Sequence, residues 1–284
     1  MSAWNYSGDN INIVYVAGAV VAISVLAVVV KKTRKREPVQ YPRDTVMVHQ
    51  FGKGSRGPSI SPFVIKLETY LRMANIQYKP VYDRQMSTKG KIPWIEYNED
   101  KIADSQLSIE YLNTKFDINL NSNLDSMELA IGRAFSKMAE ENLYWYLVLQ
   151  RSTYDKHNTI FREVGLNSFI IKILRWKASK ASYYHGIGRH TETETTSIME
   201  KDVKAISDFL GRKKFFMGDA PSEVDCVMFG QLSQFVWQMP GSQGEKCITE
   251  KYKNIEEYCV RMRDLYWPDW EECTLKKKKD SAST

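Results

Sequence analysis

The sequence predicts a mixed α/β domain followed by an all-helical domain, with one transmembrane helix ahead of both. Three observations indicate this order. An uncharged apolar run lies near the start of the chain, strand and helix patterns alternate between residues 45 and 118, and long helical periodicities follow between residues 119 and 270. A chain of 284 residues is long enough for two small domains.

The apolar run is Ile11–Val30, twenty residues without a charge. As a helix it would span roughly 30 Å, the thickness of the hydrocarbon core of a bilayer. Five of the six residues in Lys31–Arg36 are basic, which places this flank on the cytosolic side. A cleaved signal peptide would carry its positive charge before the apolar run. We therefore expect an uncleaved single-pass anchor that contacts membrane lipid over residues 11–36.

The anchor sets the predicted topology. Residues 1–10 form a short non-cytoplasmic N-terminus, residues 11–30 the span, and residues 31–44 a basic juxtamembrane linker. The mixed α/β domain (45–118), the helical domain (119–270) and a basic flexible tail (271–284) are expected in the cytosol. Nothing in the sequence indicates which organelle's membrane is involved.

The positive charge is confined to the two flanks. The formal net charge is +6, and it falls to −3 when the five basic residues of Lys31–Arg36 and the four of Lys276–Lys279 are left out. A nucleic-acid-binding domain would carry its basic patch on the folded body. The sequence therefore argues against nucleic acid as a partner.

Cysteine and histidine spacing predicts neither a disulfide framework nor a metal site. The four cysteines lie in the last quarter of the chain, no two of them form a C-x-x-C pair, and the four histidines form no H-x-x-x-H pair. In a cytosolic domain we expect reduced thiols, several of them buried. The cysteines are Cys226, Cys247, Cys259 and Cys273.

The first domain is predicted in the order β-α-β-β-β-α. A strand at Thr45–Phe51 leads through a glycine-rich loop to a helix at Pro62–Asn75, in which Ser61 is the N-cap and Pro62 the first helical residue. "QYKPVYD" is typical of an edge strand, because Pro80 cannot donate to a ladder. "WIEY" and Lys101–Ala103 form a hairpin around "NEDK", and a further helix begins at Asp104 or Ser105.

The second domain contains five predicted helices. The first begins near Asp125; its core-facing residues are expected to be Leu129, Ala139, Leu143 and Tyr146, with Glu140 and Glu141 as solvated charges. The second, within 167–184, has Phe169, Ile170, Ile173 and Leu174 opposite Lys172, Arg175 and Ser179. We expect its apolar face to pack on the core; contact with a membrane is the alternative.

Three short motifs resemble the glutathione S-transferase fold, which joins a thioredoxin-like N-terminal domain to a helical C-terminal domain. "KIPWIE" is similar to the segment with a cis-proline before the third strand, here Pro93. "ADSQLSIEYL" resembles the acidic-Ser pair that begins the next helix. "SEVD" resembles an N-capping box, formed here by Ser222 and Asp225.

A closer resemblance covers residues 42–270. "SPFVIKLETYLRMANIQY", "GKIPWIEYN", "HGIGRH", "KKFFMG" and "WPDW" are similar to the Failed axon connections family, which is related to metaxins and cadmium-response proteins. The resemblance implies a membrane-associated protein with a glutathione-transferase-like fold and a role in axonal or neuronal development or in stress response. It implies no settled enzymatic activity, and it leaves a homodimer open.

The resemblance also implies a glutathione site. Ser61 would be the catalytic residue, holding down the pKa of the thiol by hydrogen bonding. The main chain of Ile92, before Pro93, would pair with the cysteinyl backbone, and Asp104 with Ser105 would receive the γ-glutamyl end. In thiol-using relatives a cysteine stands at the position of Ser61, so its absence argues against thiol–disulfide exchange.

Each of these residues also has a structural interpretation. Ser61 can be an ordinary N-cap, Pro93 can shape a turn, and Asp104 with Ser105 can simply begin a helix. Two functions therefore stay open. We expect a non-enzymatic, membrane-tethered interaction module; the alternative is a glutathione-dependent transferase at a membrane, with glutathione as its co-substrate.

Overall fold

A four-stranded sheet forms the first part of the fold in this computed structural model, which describes residues 41–83 and 85–275. The strand order is β2-β1-β3-β4, with β1 parallel to β2 and the other neighbours antiparallel. β2 lies at an edge, as Pro80 predicted. The strands are β1 Val46–His49, β2 Tyr78–Val81, β3 Trp94–Tyr97 and β4 Asp100–Ala103.

The predicted anchor and the lysine tail lie outside these residues. Within the part that is described, no helix is both long and apolar enough to cross a bilayer. The described residues from Arg43 to Leu275 belong to one compact unit.

Two helices cover the sheet and close a small apolar core. α1 is Pro62–Met73 and α2 is Ser105–Phe116, so the predicted order β-α-β-β-β-α is confirmed. Burial of the apolar stripe of α1 against the sheet is the main driving force for this half, because each fully buried aliphatic side chain contributes roughly 1.5–3 kcal/mol. The core residues include Val46, Val48, Leu67, Tyr70, Leu71, Ile95, Ile109 and Leu112.

The second part is helical, and its first predicted helix is interrupted twice. α3 (Ser126–Met138) and α4 (Tyr144–Leu149) are each followed by a π-helical segment, Ala139–Leu143 and Gln150–Tyr154. Such π-helical turns are rare and often mark functional sites. The remaining helices are α5 Thr159–Glu163, α6 Ser168–His185, α7 Glu192–Leu210, α8 Glu223–Trp237, α9 Gln243–Lys246, α10 Lys253–Tyr266 and α11 Trp270–Cys273.

Helix α8 is the centre of the molecule and is buried along most of its length. It packs against α1 at Gly230, where a Cβ atom would lie 2.6 Å from the carbonyl oxygen of Pro62. Its first turn carries the predicted capping pair. The Asp225 carboxylate accepts from the N–H of Ser222 at 2.8 Å and from the N–H of Phe216 at 2.9 Å. α8 therefore couples the two halves of the fold.

The prediction for Leu129 is wrong, although Ala139, Leu143 and Tyr146 are buried as expected. Leu129 is 43% exposed. The close contact of α3 is made by Gly132 instead, which would place a Cβ atom 3.2 Å from Met217. Leu129 lies about 60° around the helix from Gly132, so it stays at the edge of the contact between α3 and the core.

The predicted packing of α6 is also wrong. Phe169 is 72% exposed, Trp176 58% and Tyr184 76%. The helix packs through its opposite side, where Ile171 and Ser182 are buried. The guanidinium of Arg175 on that side donates to Asn158 Oδ1 at 2.7 Å. The bulky aromatic residues of α6 therefore face solvent.

Candidate functional site

The predicted site residues lie in segments that meet at one end of the sheet. His49 pairs with Trp94, and Trp94 pairs with Ala103, so the ends of β1 and β4 and the start of β3 share one row. The corner that leads to Ser61 follows β1, Pro93 immediately precedes β3, and Asp104 immediately follows β4. The sheet register therefore brings these three segments to the same edge.

Ser61 is the N-cap residue of α1 by backbone position, with φ −98° and ψ 119°, and its side chain makes no capping hydrogen bond. Its own N–H donates to Ser59 Oγ at 3.1 Å. Among the described residues, the hydroxyl of Ser61 has no hydrogen-bond partner. The serine therefore sits at the corner with a hydroxyl available to another group.

The helical half holds this corner in place. Gln234 Nε2 donates to the carbonyl of Ser59 at 3.3 Å, and Arg151 Nη1 donates to the carbonyl of Ile60 at 2.6 Å. At Gly57 a Cβ atom would lie 2.7 Å from Gln238 Nε2 and 2.8 Å from the Trp270 ring. Only glycine permits that approach, so the loop is fixed closely against α8 and α11.

The Ile92–Pro93 peptide is cis, as the resemblance implied. Pro93 is buried and Ile92 half-buried. The N–H and C=O groups of Ile92 have no hydrogen-bond partner among the described residues. An extended peptide could add to this short edge by main-chain hydrogen bonds.

Asp104 and Ser105 begin α2, but the carboxylate of Asp104 is already engaged. It accepts from the N–H of Gln106 at 3.0 Å and from Lys91 Nζ at 2.9 Å. Partial burial would raise the pKa of Asp104, but these hydrogen bonds and the charge of Lys91 outweigh it and hold the pKa below its ordinary value. Asp104 has φ +85°, an uncommon conformation that can mark a functional position.

A buried ion pair lies beside Gln106 and links the two halves of the fold. Lys66 Nζ is 2.6 Å from Glu140 Oε1 and 2.8 Å from Gln106 Oε1. Lys66 is 2% exposed and Glu140 8%. The prediction that Glu140 is a solvated charge is therefore wrong, whereas Glu141 is exposed. The lysine within the apolar stripe of α1 was the available signal, because a buried lysine needs a partner.

The described residues enclose three cavities or grooves that Ser61, Pro93 and Ser105 do not line. One of about 140 Å³ lies beside Lys66, Gln106 and Glu140. A second, of about 300 Å³, lies beside Arg151 and Gln238, and an open groove of about 490 Å³ runs past Asn113 and Leu129. The Ser61 corner is thus shaped by hydrogen bonds and lies outside these cavities.

The four cysteines are free thiols; Cys226, Cys247 and Cys259 are buried and Cys273 is half-buried. Burial raises the pKa of Cys247 and that of Cys273 to about 11. Both groups are therefore thiols at neutral pH. Among residues 41–83 and 85–275, no cluster of three or more His, Cys, Asp or Glu side chains could hold a metal ion.

Comparison with known proteins agrees with this architecture. Residues 62–158 match the glutathione S-transferase N-terminal domain, and residues 199–262 match the glutathione S-transferase C-terminal domain. The protein Failed axon connections of Drosophila melanogaster is 32% identical over 256 residues, which cover 82% of this chain and 61% of that protein. The chain thus spans about three-fifths of the Drosophila protein's length.

Two further relatives differ in the function that they carry. The isoprene-epoxide–glutathione S-transferase of Rhodococcus is 30% identical over 230 residues, which cover 74% of this chain and 94% of that enzyme. Metaxin-2 of Mus musculus is 22% identical over 218 residues, which cover 72% of this chain and 82% of that protein. The predicted resemblance to the Failed axon connections and metaxin group is confirmed.

Two solved structures, one fungal and one bacterial, have the same fold. A glutathione S-transferase of Ceriporiopsis subvermispora in complex with glutathione has a TM-score of 0.56 and 15% identity, covering 82% of this chain and 99% of that one. A beta-etherase of Sphingobium has a TM-score of 0.55 and 15% identity, covering 77% and 94%. At this identity the likeness establishes the fold alone, a thioredoxin-like domain joined to a helical domain.

Proposed function

The chain belongs to the glutathione S-transferase family, and we propose that it is a membrane-anchored member that works by binding rather than by catalysis. The observation that carries this proposal is the exposed face of α6. Monomeric soluble domains rarely expose contiguous large apolar patches, and such patches mark interaction sites. On α6 the face consists of Phe169, Ile173, Trp176, Tyr183 and Tyr184.

The charges on α6 favour an anionic lipid surface as the occupant. Lys172, Lys177 and Lys180 are exposed, and the helix contains no Asp or Glu. Lysine stems can lie along apolar surface while their charged ends reach lipid headgroups, and Trp and Tyr are enriched at the membrane interface. A twofold contact between two copies would bring these lysines toward each other, which disfavours self-association.

The predicted anchor supports the same conclusion. Residues 11–30 would span the bilayer, and the basic residues of Lys31–Arg36 would remain on the cytosolic side with the folded domains. Once tethered, α6 would meet lipid at a high effective concentration. Protease added outside intact vesicles with the cytosolic face outward should digest the folded domains; protection of those domains would contradict the proposed topology.

A role in axonal or neuronal development is the biological setting that we propose, because of the relative named Failed axon connections. The protein partner in that role stays unidentified. A nucleic-acid partner is not proposed, because the folded body has no net positive charge.

Glutathione-dependent transfer is the second candidate. The available hydroxyl of Ser61 and the unpaired main chain of Ile92 favour it, as does the Rhodococcus relative that is named as a transferase. Glutathione would need to lie against Pro93 and Ser105 and to displace Lys91 from Asp104. Lys91 is 62% exposed, so it could move aside. Calorimetric titration of glutathione into the full chain tests this binding.

The membrane proposal is tested with a polarity-sensitive fluorophore on α6. We would label Ile173→Cys in a Cys273→Ser background, in the full chain reconstituted in phosphatidylcholine vesicles with or without phosphatidylserine. The expected result is a blue shift in the anionic vesicles that high salt reverses. A label at Lys201→Cys, on α7, is the control. The proposal is wrong if both labels respond equally, or if the shift follows protein concentration rather than lipid.

A further inference from the structure

We propose that the cavity beside Arg151 binds a small organic carboxylate that also carries a hydroxyl or amine donor. This site is separate from the Ser61 corner and from the α6 face, and it does not rest on the function proposed above. It lies between the end of the long helical segment 126–154 and the loop after α8, with a volume of about 300 Å³. That volume is at the lower end of the range for small-molecule sites.

Arg151 is a buried cation without a carboxylate partner. It is 8% exposed, and no Asp or Glu among the described residues lies within ion-pair distance of it. Nη1 donates to the carbonyl of Ile60 at 2.6 Å and Nη2 to Gln234 Oε1 at 2.8 Å. Both acceptors are neutral. A buried charge normally requires a paired opposite charge, so this arrangement lacks an anion.

The guanidinium has donors left for that anion. Two of its five N–H groups are used, and Nε has no partner in the described part of the chain. Nε and the adjacent Nη groups form a planar edge that matches the two oxygens of a carboxylate. Burial lowers the pKa of Arg151 to about 9, which agrees with a cation that lacks compensation.

Gln238 has a buried hydrogen-bond acceptor that needs a donor, whereas Arg151 has donors that need an acceptor. Its Oε1 atom is buried and has no donor within the described residues, while Nε2 donates to the carbonyl of Ser59 at 3.4 Å. Gln238 lines the same cavity as Arg151. A ligand that satisfies both side chains presents a carboxylate to Arg151 and a hydroxyl or amine hydrogen to Gln238. Hydroxy acids and amino acids combine these groups.

The charges around the cavity also favour an anion. Lys156 is exposed in the lining. The carboxylate in the lining is Asp155, and it is directed at its own turn, accepting from the N–H of Thr159 at 2.6 Å and from the N–H of His157 at 3.0 Å. It therefore does not neutralise Arg151.

Lactate, which has both a carboxylate and a hydroxyl group, is the probe that tests this site. Acetate, which lacks the hydroxyl donor, and propane-1,2-diol, which lacks the carboxylate, are the control compounds. Thermal unfolding of the full chain in detergent micelles would be followed at increasing probe concentration, because a ligand of the native state raises the unfolding temperature. We expect a saturable shift with lactate, about fivefold weaker apparent affinity for acetate, and no saturable shift with the diol.

The variant Arg151→Met should abolish the saturable lactate shift, while Arg175→Met, outside the cavity, should keep it. If Arg151→Met does not fold, Lys156→Ala at the exposed rim should raise the apparent Kd severalfold. The proposal is overturned if lactate gives no saturable shift to the wild type, which would leave water as the partner of both side chains. Equal shifts in the wild type, Arg151→Met and Lys156→Ala would also overturn it, because they would indicate a general salt effect.

Discussion

The Ser61 corner and the exposed face of α6 show two opposite uses of the same fold. At the corner, Gln234 and Arg151 hold main-chain carbonyl groups, and Gly57 lies in close contact with the helical half. On α6, large apolar side chains are left mostly exposed by the described residues around them. The family resemblance predicted a glutathione site at the corner, whereas the most exposed aromatic side chains of the described residues lie on α6. A fold therefore indicates where a functional site could be, but it does not determine which surface carries the function.

The largest expected effect concerns the Lys66–Glu140 ion pair, which links the sheet-containing half of the fold to the helical half. Lys66→Met would leave Glu140 buried without its main partner, and we expect the free energy of unfolding to fall by about 3–5 kcal/mol. The double variant Lys66→Met/Glu140→Leu should recover most of that loss, because both charges are then removed. Urea denaturation measures both values. Equal stability of the two variants would show that the pair does not link the halves.

The free energy of unfolding should depend on pH through a buried carboxyl group near the Ser61 corner. Burial raises the pKa of Glu68, beside β1, from 4.5 to about 7, although the hydrogen bond from Gln50 opposes this shift. A raised pKa means that the folded state binds the proton more tightly than the unfolded state does. The free energy of unfolding should therefore fall as pH rises from 4.5 to 7, by up to about 3 kcal/mol.

The variant Glu68→Gln isolates that contribution, since it cannot titrate. The difference in the free energy of unfolding between wild type and Glu68→Gln should change across this pH window and stay constant above it. A difference that is the same at every pH would contradict the buried, proton-binding carboxyl.

The α6 face should affect lipid binding without affecting folding. Phe169→Ser with Trp176→Ser removes two exposed aromatic side chains, and we expect at least about tenfold weaker association of the labelled helix with anionic vesicles. The free energy of unfolding should change by less than about 0.5 kcal/mol, because neither side chain is in the core. The matched control is Met127→Ser, an exposed apolar residue on α3, which should leave the vesicle signal unchanged.

The smallest expected effect is that of Ser61→Ala on stability. The side chain of Ser61 makes no capping hydrogen bond, so its loss should cost less than about 0.5 kcal/mol. Asn167→Ala is the comparison, because Asn167 Oδ1 accepts from the N–H of Ile170 at 2.9 Å at the start of α6. That cap should be worth about 1 kcal/mol. Equal losses in thermal unfolding would show that Ser61 is an ordinary cap after all.

Local patterns predicted the parts of the fold that depend on neighbouring residues. The order of strands and helices along the chain and the start of α2 at Asp104 or Ser105 follow from alternation, proline and capping chemistry within a few positions, whereas the cis peptide at Pro93 was implied by the family resemblance. These features required no knowledge of distant contacts.

Features that depend on distant partners escaped prediction. Helical periodicity found the apolar face of α6, but it could not say which face would meet the core; the buried residues, Ile171 and Ser182, lie on the other side. Glu140 was misjudged because its partner Lys66 lies 74 positions away in the sequence. The hydrogen bond from Lys91 to Asp104, which occupies a predicted glutathione contact, was missed for a similar reason: nothing in the loop pattern indicates it.

The central claim, binding rather than catalysis, is tested most directly by turnover. Conjugation of glutathione to a generic electrophile would be measured for the full chain and for Ser61→Ala under the same conditions. The account predicts no turnover above the uncatalysed rate that depends on Ser61. Saturable turnover in the wild type that is lost in Ser61→Ala would contradict it and make the transferase the function.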